Sequence, residues 1–219
     1  MKAEAFFVLW MGHLVGDYVL QNGYIAKGKE KKLGVLLIHI LLIAASQLFF
    51  FIPDLNRGVL NAVGFVVISH FFIDFSKFRL SKFRWVSTTW YYLLDQGFHL
   101  LTLFIASFLI KQQNSLFSGP LSLLVCAALV NAYVWGIFAH IGWGNRDNGY
   151  KRDWEGYVFR GASAIVHNLH WIGGFAVLLS GWFIEKSIRK NTQESIISFA
   201  MSFISNILLI NIIGRNLWR

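Results

Sequence analysis

Charged residues, prolines and cysteines are all scarce in this sequence, and each scarcity removes a class of protein. Aspartate, glutamate, lysine and arginine make up 14% of the 219 residues, where a soluble domain carries about 25%. With 56% hydrophobic residues and a mean hydropathy of +0.53, the chain reads as membrane-embedded. A single cysteine, Cys126, excludes an intrachain disulfide framework, and its apolar neighbours make it a small packing residue. Two prolines and no low-complexity tract leave nothing that reads as a linker. The expectation is one integral-membrane domain over 1–219, with a metal-site half at 1–112 and a C-terminal helical half at 113–219. No P-loop, GxGxxG or GxSxG motif occurs, and Cys126 has no histidine within one turn. Serine and cysteine nucleophile chemistry therefore have no local support.

What is present is basic charge in short segments between long apolar runs. The formal charge is +9, but its placement is that of positive cytoplasmic loops, not of a nucleic-acid surface. At roughly 20 apolar residues per crossing, about seven spans are expected, near 3–22, 33–52, 58–78, 87–110, 118–140, 163–184 and 194–213. Trp85, Trp143, Trp182 and Trp218 fall near predicted span ends, as interfacial anchors do. The predicted fold is all-α, a polytopic helical bundle in the cell's inner (cytoplasmic) membrane. The start of the chain carries no small-residue cleavage site and is interrupted by His13 and Asp17, so it reads as a retained first span. Lys27, Lys29, Lys31 and Lys32 follow the first span, Arg79, Lys82 and Arg84 the third, and Arg146, Lys151 and Arg152 the fifth. These loops are assigned inside and the N-terminus outside. Lys186, Arg189 and Lys190 conflict with that topology, because seven spans would put them outside.

Three of the six aspartates lie inside predicted spans, and each has a histidine four residues away. The pairs are His13 with Asp17 (HLVGD), His70 with Asp74 (HFFID) and Asp95 with His99 (DQGFH); His39 lies in the second span. Residues four apart share a helix face. At a rise of about 1.5 Å per residue, all seven fall in or near the cytoplasmic half of the bilayer. Agreement in depth across four helices suggests one shared site. An aspartate near the bilayer centre costs about 2.5–3.5 kcal/mol even on lenient scales, which cation binding or pairing with histidine offsets. The plain structural alternative is a His–Asp hydrogen-bond network that pins helices together.

Four imidazoles and three carboxylates exceed the needs of one tetrahedral centre. A divalent metal is expected, with two ions compatible with the ligand count; mixed nitrogen and oxygen donors suit Zn, Mn or Fe. The recurrence of HxxxD and a following His suggests that the first four spans are two parallel-repeat hairpins. Lys77, Gln21 and Gln96 flank the cluster and are candidates for substrate contact or ligand orientation. For Lys77 the reading as an ordinary snorkelling lysine is preferred. His167 and His170, at helical spacing but without a carboxylate within one turn, form a weaker candidate, as does His140. The loop from Gly142 to Tyr157 reads as a solvated connector in preference to a lid.

The runs HLVGDYVLQ (His13–Gln21), His39, HFFIDFSK (His70–Lys77) and DQGFH (Asp95–His99) resemble an uncharacterised bacterial membrane family, domain of unknown function 3307, over about residues 8–102. The resemblance marks His13, Gly16, Asp17, Gln21, His39, His70, Asp74, Lys77, Asp95, Gln96 and His99. It brings no activity with it. From the residues, the leading expectation is a metal-dependent hydrolase acting on a lipid or phospholipid-like substrate at the cytoplasmic leaflet. A metal-bound hydroxide would be its nucleophile and one aspartate its base. A di-iron membrane oxidase or hydroxylase, a metal or proton transporter, and a non-catalytic subunit of a membrane complex stay open. The expected partners are the lipid bilayer and a lipid substrate, with no nucleic acid.

Overall fold

The computed structural model of the protein describes residues 2–111, 114–144, 153–189 and 192–217. Arg146, Lys151, Arg152, Lys190, Trp218 and most of the connector before Tyr157 lie outside the described residues. Every regular element among them is helical. The chain divides into two compact units, Met1–Ser122 and Leu123–Arg219.

Unit 1 is built on four helices. Helix α1 (Lys2–Leu14) continues through a π-helical turn, Val15–Val19, and the short α2 (Gly23–Gly28) follows. Then come α3 (Leu33–Phe50), α4 (Arg57–Leu80) and α5 (Thr89–Ser107). Asn22, Asn56 and Thr88 start α2, α4 and α5 by accepting the backbone N–H three residues on, which satisfies a donor the helix itself leaves free. Helix α1 packs on α3 and α5, α3 on α4, and α4 on α5, closing a ring.

The contacts fix the directions. Along α1, Gly12 faces Gln47 and Gly16 faces Ile43, so advance on α1 is retreat on α3. The ring of His70 stacks on that of His99, while Gly58 sits against Leu109, so α4 and α5 are antiparallel too. Phe6 meets Phe104 and His13 meets His99, giving the same relation for α1 and α5. The unit is an up-down-up-down bundle. Glycine lets α1 approach α3 closely: a Cβ on Gly16 would lie 2.7 Å from Ser46 Oγ. Ser46 Oγ and Gln47 Nε2 donate to the carbonyls of Gly12 and Leu9 at 2.8 Å. Small residues with polar bridges are how helices associate where water drives nothing.

In unit 2, α6 (Gly119–Leu129, whose first turn holds the unit boundary) runs through a π turn, Val130–Val134, into α7 (Trp135–Trp143). Helices α8 (Trp154–Leu169), α9 (Trp171–Arg189) and α10 (Thr192–Asn206) follow, with a final π segment, Ile207–Gly214, and a last turn, α11 (Arg215–Leu217). Arg160, fully buried, ties the unit together. Its Nε and Nη2 donate to the carbonyls of Asn131 and Ala132 in the first π turn, and its Nη1 to Asp153, Glu185 and Ser198. Asn131 bonds Asn206, which in turn bonds Ser163.

Among the described residues, four helices are long and apolar enough to cross a membrane: Leu33–Phe50, Arg57–Leu80, Gly119–Trp143 and Gln193–Leu217. Leu41, Ile68, Phe72 and Trp90 are among many large apolar side chains left exposed, which suits a lipid-facing surface. Four of the seven expected spans thus have a helix of that length and apolarity. Helix α1 has 13 residues before its π turn, and Asp95, Gln96 and His99 dilute the apolar character of α5. The span expected at 163–184 does not exist as one helix. His170 is extended, at φ −155° and ψ 114°, and it separates α8 from α9. Gly174 lies against His167 and Gly181 against Phe159, so α9 runs back along α8 as an antiparallel hairpin. The C-terminal end of α9, which carries Lys186, therefore lies at the same end of unit 2 as the start of α8. Three polar contacts mark that end. Arg160 near the start of α8 joins Glu185 on α9 and Ser198 on α10, and His140 near the end of α7 lies 3.1 Å from Glu194 on α10.

A buried His/Asp/Lys cluster in unit 1

The core of the bundle holds seven buried histidine and aspartate side chains from four helices. Helix α1 and its π turn supply His13 and Asp17, α3 supplies His39, α4 supplies His70 and Asp74, and α5 supplies Asp95 and His99. The imidazoles form one layer: ring centroids are 4.3 Å apart for His70–His99, 5.0 Å for His13–His99, 5.1 Å for His39–His70 and 5.2 Å for His13–His70. Residues at one depth on separate helices do meet. Within the i, i+4 pairs the nearest nitrogen–oxygen distances are 3.9 Å for His13–Asp17, 3.5 Å for His70–Asp74 and 3.9 Å for Asp95–His99. The two 3.9 Å separations exceed hydrogen-bond length, and His70–Asp74 is the closest of the three pairs.

An eighth residue completes the cluster. Lys29 caps the C-terminus of α2, and its ammonium enters the bundle. Lys29 Nζ lies 3.1 Å from Asp17 Oδ1, 3.0 Å from Asp74 Oδ2 and 3.0 Å from His39 Nε2. Burial opposes its charge, but the carboxylates of Asp17 and Asp74 outweigh burial and hold the amine above the usual lysine range. An ammonium can only donate, so His39 Nε2 is an acceptor and the proton of that ring sits on Nδ1. That Nδ1, like His70 Nδ1, His13 Nε2 and Asp95 Oδ1, has no hydrogen-bond partner among the described residues. Buried polar atoms are normally paired.

The flanking candidates divide. Gln96 donates to Asp95 Oδ2 at 3.3 Å and accepts from the Tyr18 hydroxyl at 3.0 Å, and Tyr18 lies 3.1 Å from the Tyr92 hydroxyl. It is thus joined to the cluster through Asp95. Lys77 pairs with Glu30 at 3.3 Å, and Gln21 lies in the non-helical link after the π turn.

The model of one protein family, described as a protein of unknown function (DUF3307), matches residues 5–124. The chain belongs to this family. The DUF3307 match takes in unit 1 from Ala5 onward and every member of the cluster, Lys29 included. No curated protein and no solved structure matches the chain.

Three sets of side chains in the DUF3307 segment bring ligand atoms within 4.8 Å of one another: His13, His70 and His99; Asp17, His39 and His70; and Asp74, Asp95 and His99. The second set surrounds the Lys29 ammonium, so a cationic group already fills it. The first set has three imidazole nitrogens, with His13 Nε2 unbonded, and the third adds Asp95 Oδ1, which has no hydrogen-bond partner among the described residues. Donor type and unbonded atoms fit a divalent ion at the His13/His70/His99 position.

Lys29 was invisible to sequence reasoning. It sits in the run KGKEKK, where each lysine reads as a loop charge, and only the fold of α2 turns one inward. Arg160 was also missed; an arginine with Asp153 seven residues before it was the one available signal. The weaker C-terminal candidates do not converge among the described residues. His170 is the break residue and accepts from Gly173 N, His167 Nε2 pairs with Asn211, and His140 pairs with Glu194.

Proposed function

We propose that unit 1 is a membrane-embedded metal-dependent hydrolase centre that acts on a lipid-class substrate. One divalent ion lies at His13, His70 and His99, and the Lys29 ammonium takes the place of a second ion. The observation that carries this reading is the donor set: the ligand atoms of His13, His70 and His99 lie within 4.8 Å of one another, buried, and one of them, His13 Nε2, has no hydrogen-bond partner among the described residues. An ion there would supply an activated water and polarise a bound oxygen. Asp95, with its free Oδ1, is positioned to accept a proton from that water. Gln96 and the Tyr18 hydroxyl hold Asp95 in place.

The hairpins α1/α3 and α4/α5 run in the same sense in the ring, which supports reading them as parallel repeats. The N-terminus lies outside in this reading, with the 27–32 and 79–84 segments cytoplasmic. The α8–α9 hairpin supports this orientation at Lys186, because the two helices enter and leave from one face and bring that residue to the end of unit 2 where α8 begins.

The second reading is a proton carrier. It is favoured by Lys29, which already neutralises one aspartate without a metal; protons then reside on Asp95 or on the imidazoles. Elemental analysis of detergent-purified protein separates the two after incubation with Zn, Mn or Fe. The expected result is one tightly held ion per chain in the wild type and none in His13→Ala or His70→Ala. Chelator-sensitive release of fatty acid or phosphate from vesicle lipids, read by mass spectrometry, would accompany it. Absence of bound metal from a folded wild type would reject the hydrolase and move the assignment to the proton carrier, and iron would favour an oxidase.

A further inference from the structure

The acceptors around the Lys29 ammonium match its hydrogens: Asp17 Oδ1 at 3.1 Å, Asp74 Oδ2 at 3.0 Å and His39 Nε2 at 3.0 Å. An ammonium offers three donors and no acceptor, so the set is complete only if His39 Nε2 carries a lone pair. The consequence does not stop at His39. His39 Nε2 also lies 3.0 Å from His70 Nε2, and both side chains are buried. Two lone pairs do not face each other at hydrogen-bond distance, so the proton between the rings belongs to His70. His70 is then the Nε2–H form and donates to His39, with Asp74 Oδ2 as a second acceptor at 3.5 Å. Its lone pair is on Nδ1, the atom with no hydrogen-bond partner among the described residues.

The opposite order is worse at the ammonium. With the His39 proton on Nε2, an N–H would point at Lys29 Nζ from 3.0 Å, and one hydrogen of a buried charged donor would lose its acceptor. The order that Lys29 imposes leaves His39 Nδ1–H without a partner among the described residues. That is a neutral donor, and an unpaired neutral group costs less than an unpaired charged one.

We propose that Lys29 is a positioning residue: through His39 it fixes the proton of His70 on Nε2 and keeps His70 Nδ1 bare as the atom that ligates the ion. The proposal rests on the reading of His13, His70 and His99 as a metal position and deepens it by naming a ligand atom. A metal-bound imidazole is ordinarily oriented by the hydrogen bond that its other N–H donates. Here the acceptor is a second imidazole, held in its own tautomer by an ammonium. Lys29 is the residue that caps the short helix α2, so the segment that joins α1 to α3 sets the proton order inside the bundle.

The test uses the full chain in detergent, kept metal-free with chelator at mildly alkaline pH, with isotope-labelled histidine nitrogens. NMR reads the tautomer of each ring, and His39→Gln and His70→Ala assign the two signals. The wild type should show His39 protonated on Nδ1 and His70 on Nε2, with a nitrogen–nitrogen coupling across the contact through the His70 proton. His39 is the more telling of the two, because histidine in water favours the Nε2–H form. Lys29→Met should exchange both tautomers: His39 Nε2 can then take a proton and donate to Asp74 Oδ2, 3.3 Å away, and His70 Nε2 becomes the acceptor. Lys29→Arg, which keeps a cationic donor, should retain the wild-type order, whereas a lysine that only braced the bundle would leave the tautomers unmoved in both variants. On addition of NMR-active cadmium to the wild type, coupling to His70 should run through Nδ1. A wild-type His39 protonated on Nε2, an unchanged order in folded Lys29→Met, or cadmium coupling through His70 Nε2 would each overturn the proposal. The tautomers are read without metal, so their failure is distinct from failure of the metal centre, which elemental analysis reads.

Discussion

Lys29 changes the meaning of the seven residues around it. Aspartates at intramembrane depth need a cation, and here an ammonium already serves Asp17 and Asp74. Removing one partner of a buried ion pair leaves the other charge uncompensated and costs about 3–5 kcal/mol. Lys29→Met keeps much of the side-chain length and removes the charge. The expected outcome is a lower unfolding midpoint in detergent, recovered by added Zn or Mn, together with a rise in bound metal from one ion to two. An unchanged midpoint and one ion per chain would show that the ammonium is not the second cation. The pH dependence has a defined sign. The amine is held above its ordinary range, so its contribution is complete below the unfolded value of about 10.4 and is lost as pH rises through the higher folded value. Wild type should show this alkaline loss of stability and Lys29→Met should not. At this scale the i, i+4 pairs were legible, because helical spacing turns sequence distance into a shared face and a shared depth. Lys29 was not, because nothing in KGKEKK distinguishes an inward lysine from its exposed neighbours.

At the scale of elements, the bundle depends on how closely α1 can approach α3. A Cβ on Gly16 would meet Ile43 Cα at 3.1 Å as well as the Ser46 hydroxyl, and backbone cannot swing away. Overpacking of this kind costs about 1–3 kcal/mol. Gly16→Ala should lower the unfolding midpoint accordingly and weaken metal binding, since Asp17 adjoins the contact. Gly64, inside α4, has nothing within 4 Å of a built Cβ. Gly64→Ala should be neutral or stabilising by up to about 1 kcal/mol, from helix propensity alone. Equal losses at both positions, read from thermal unfolding in one detergent, would remove close packing as the cause. The helices α3, α4 and α6–α7 were legible as long apolar runs. The break at His170 was not: the sequence LHWIGG has no proline there, and the glycines that follow lie inside α9, where they let it pack against α8. The π turn at Val15–Val19 was equally hidden, because its one extra residue leaves the apolar pattern intact.

At the scale of the molecule, a hairpin in place of a single span reverses where the end of α9 emerges. A continuous helix over 163–184 would carry Lys186 to the face opposite the connector, against the tendency of basic residues to stay cytoplasmic. The observed fold returns Lys186 to the end of unit 2 where α7 finishes, as the His140–Glu194 and Arg160–Glu185 contacts require. Sidedness makes this measurable in cysteine variants, because Cys126 is buried and silent. Lys186→Cys and Trp143→Cys should react with a membrane-impermeant maleimide in inside-out vesicles and resist it in right-side-out ones. Leu169→Cys, exposed at the tip of the hairpin, should not react from the face that labels Lys186. Labelling of Lys186 and Trp143 from opposite faces would mean that α8 and α9 cross as one span, and the hairpin would then be wrong. Labelling of both from the outer face alone would keep the hairpin but invert the orientation, moving the 27–32 lysines outside and the cluster toward the outer leaflet. The positive-inside rule and the hairpin are thus tested by the same variants and fail in different ways.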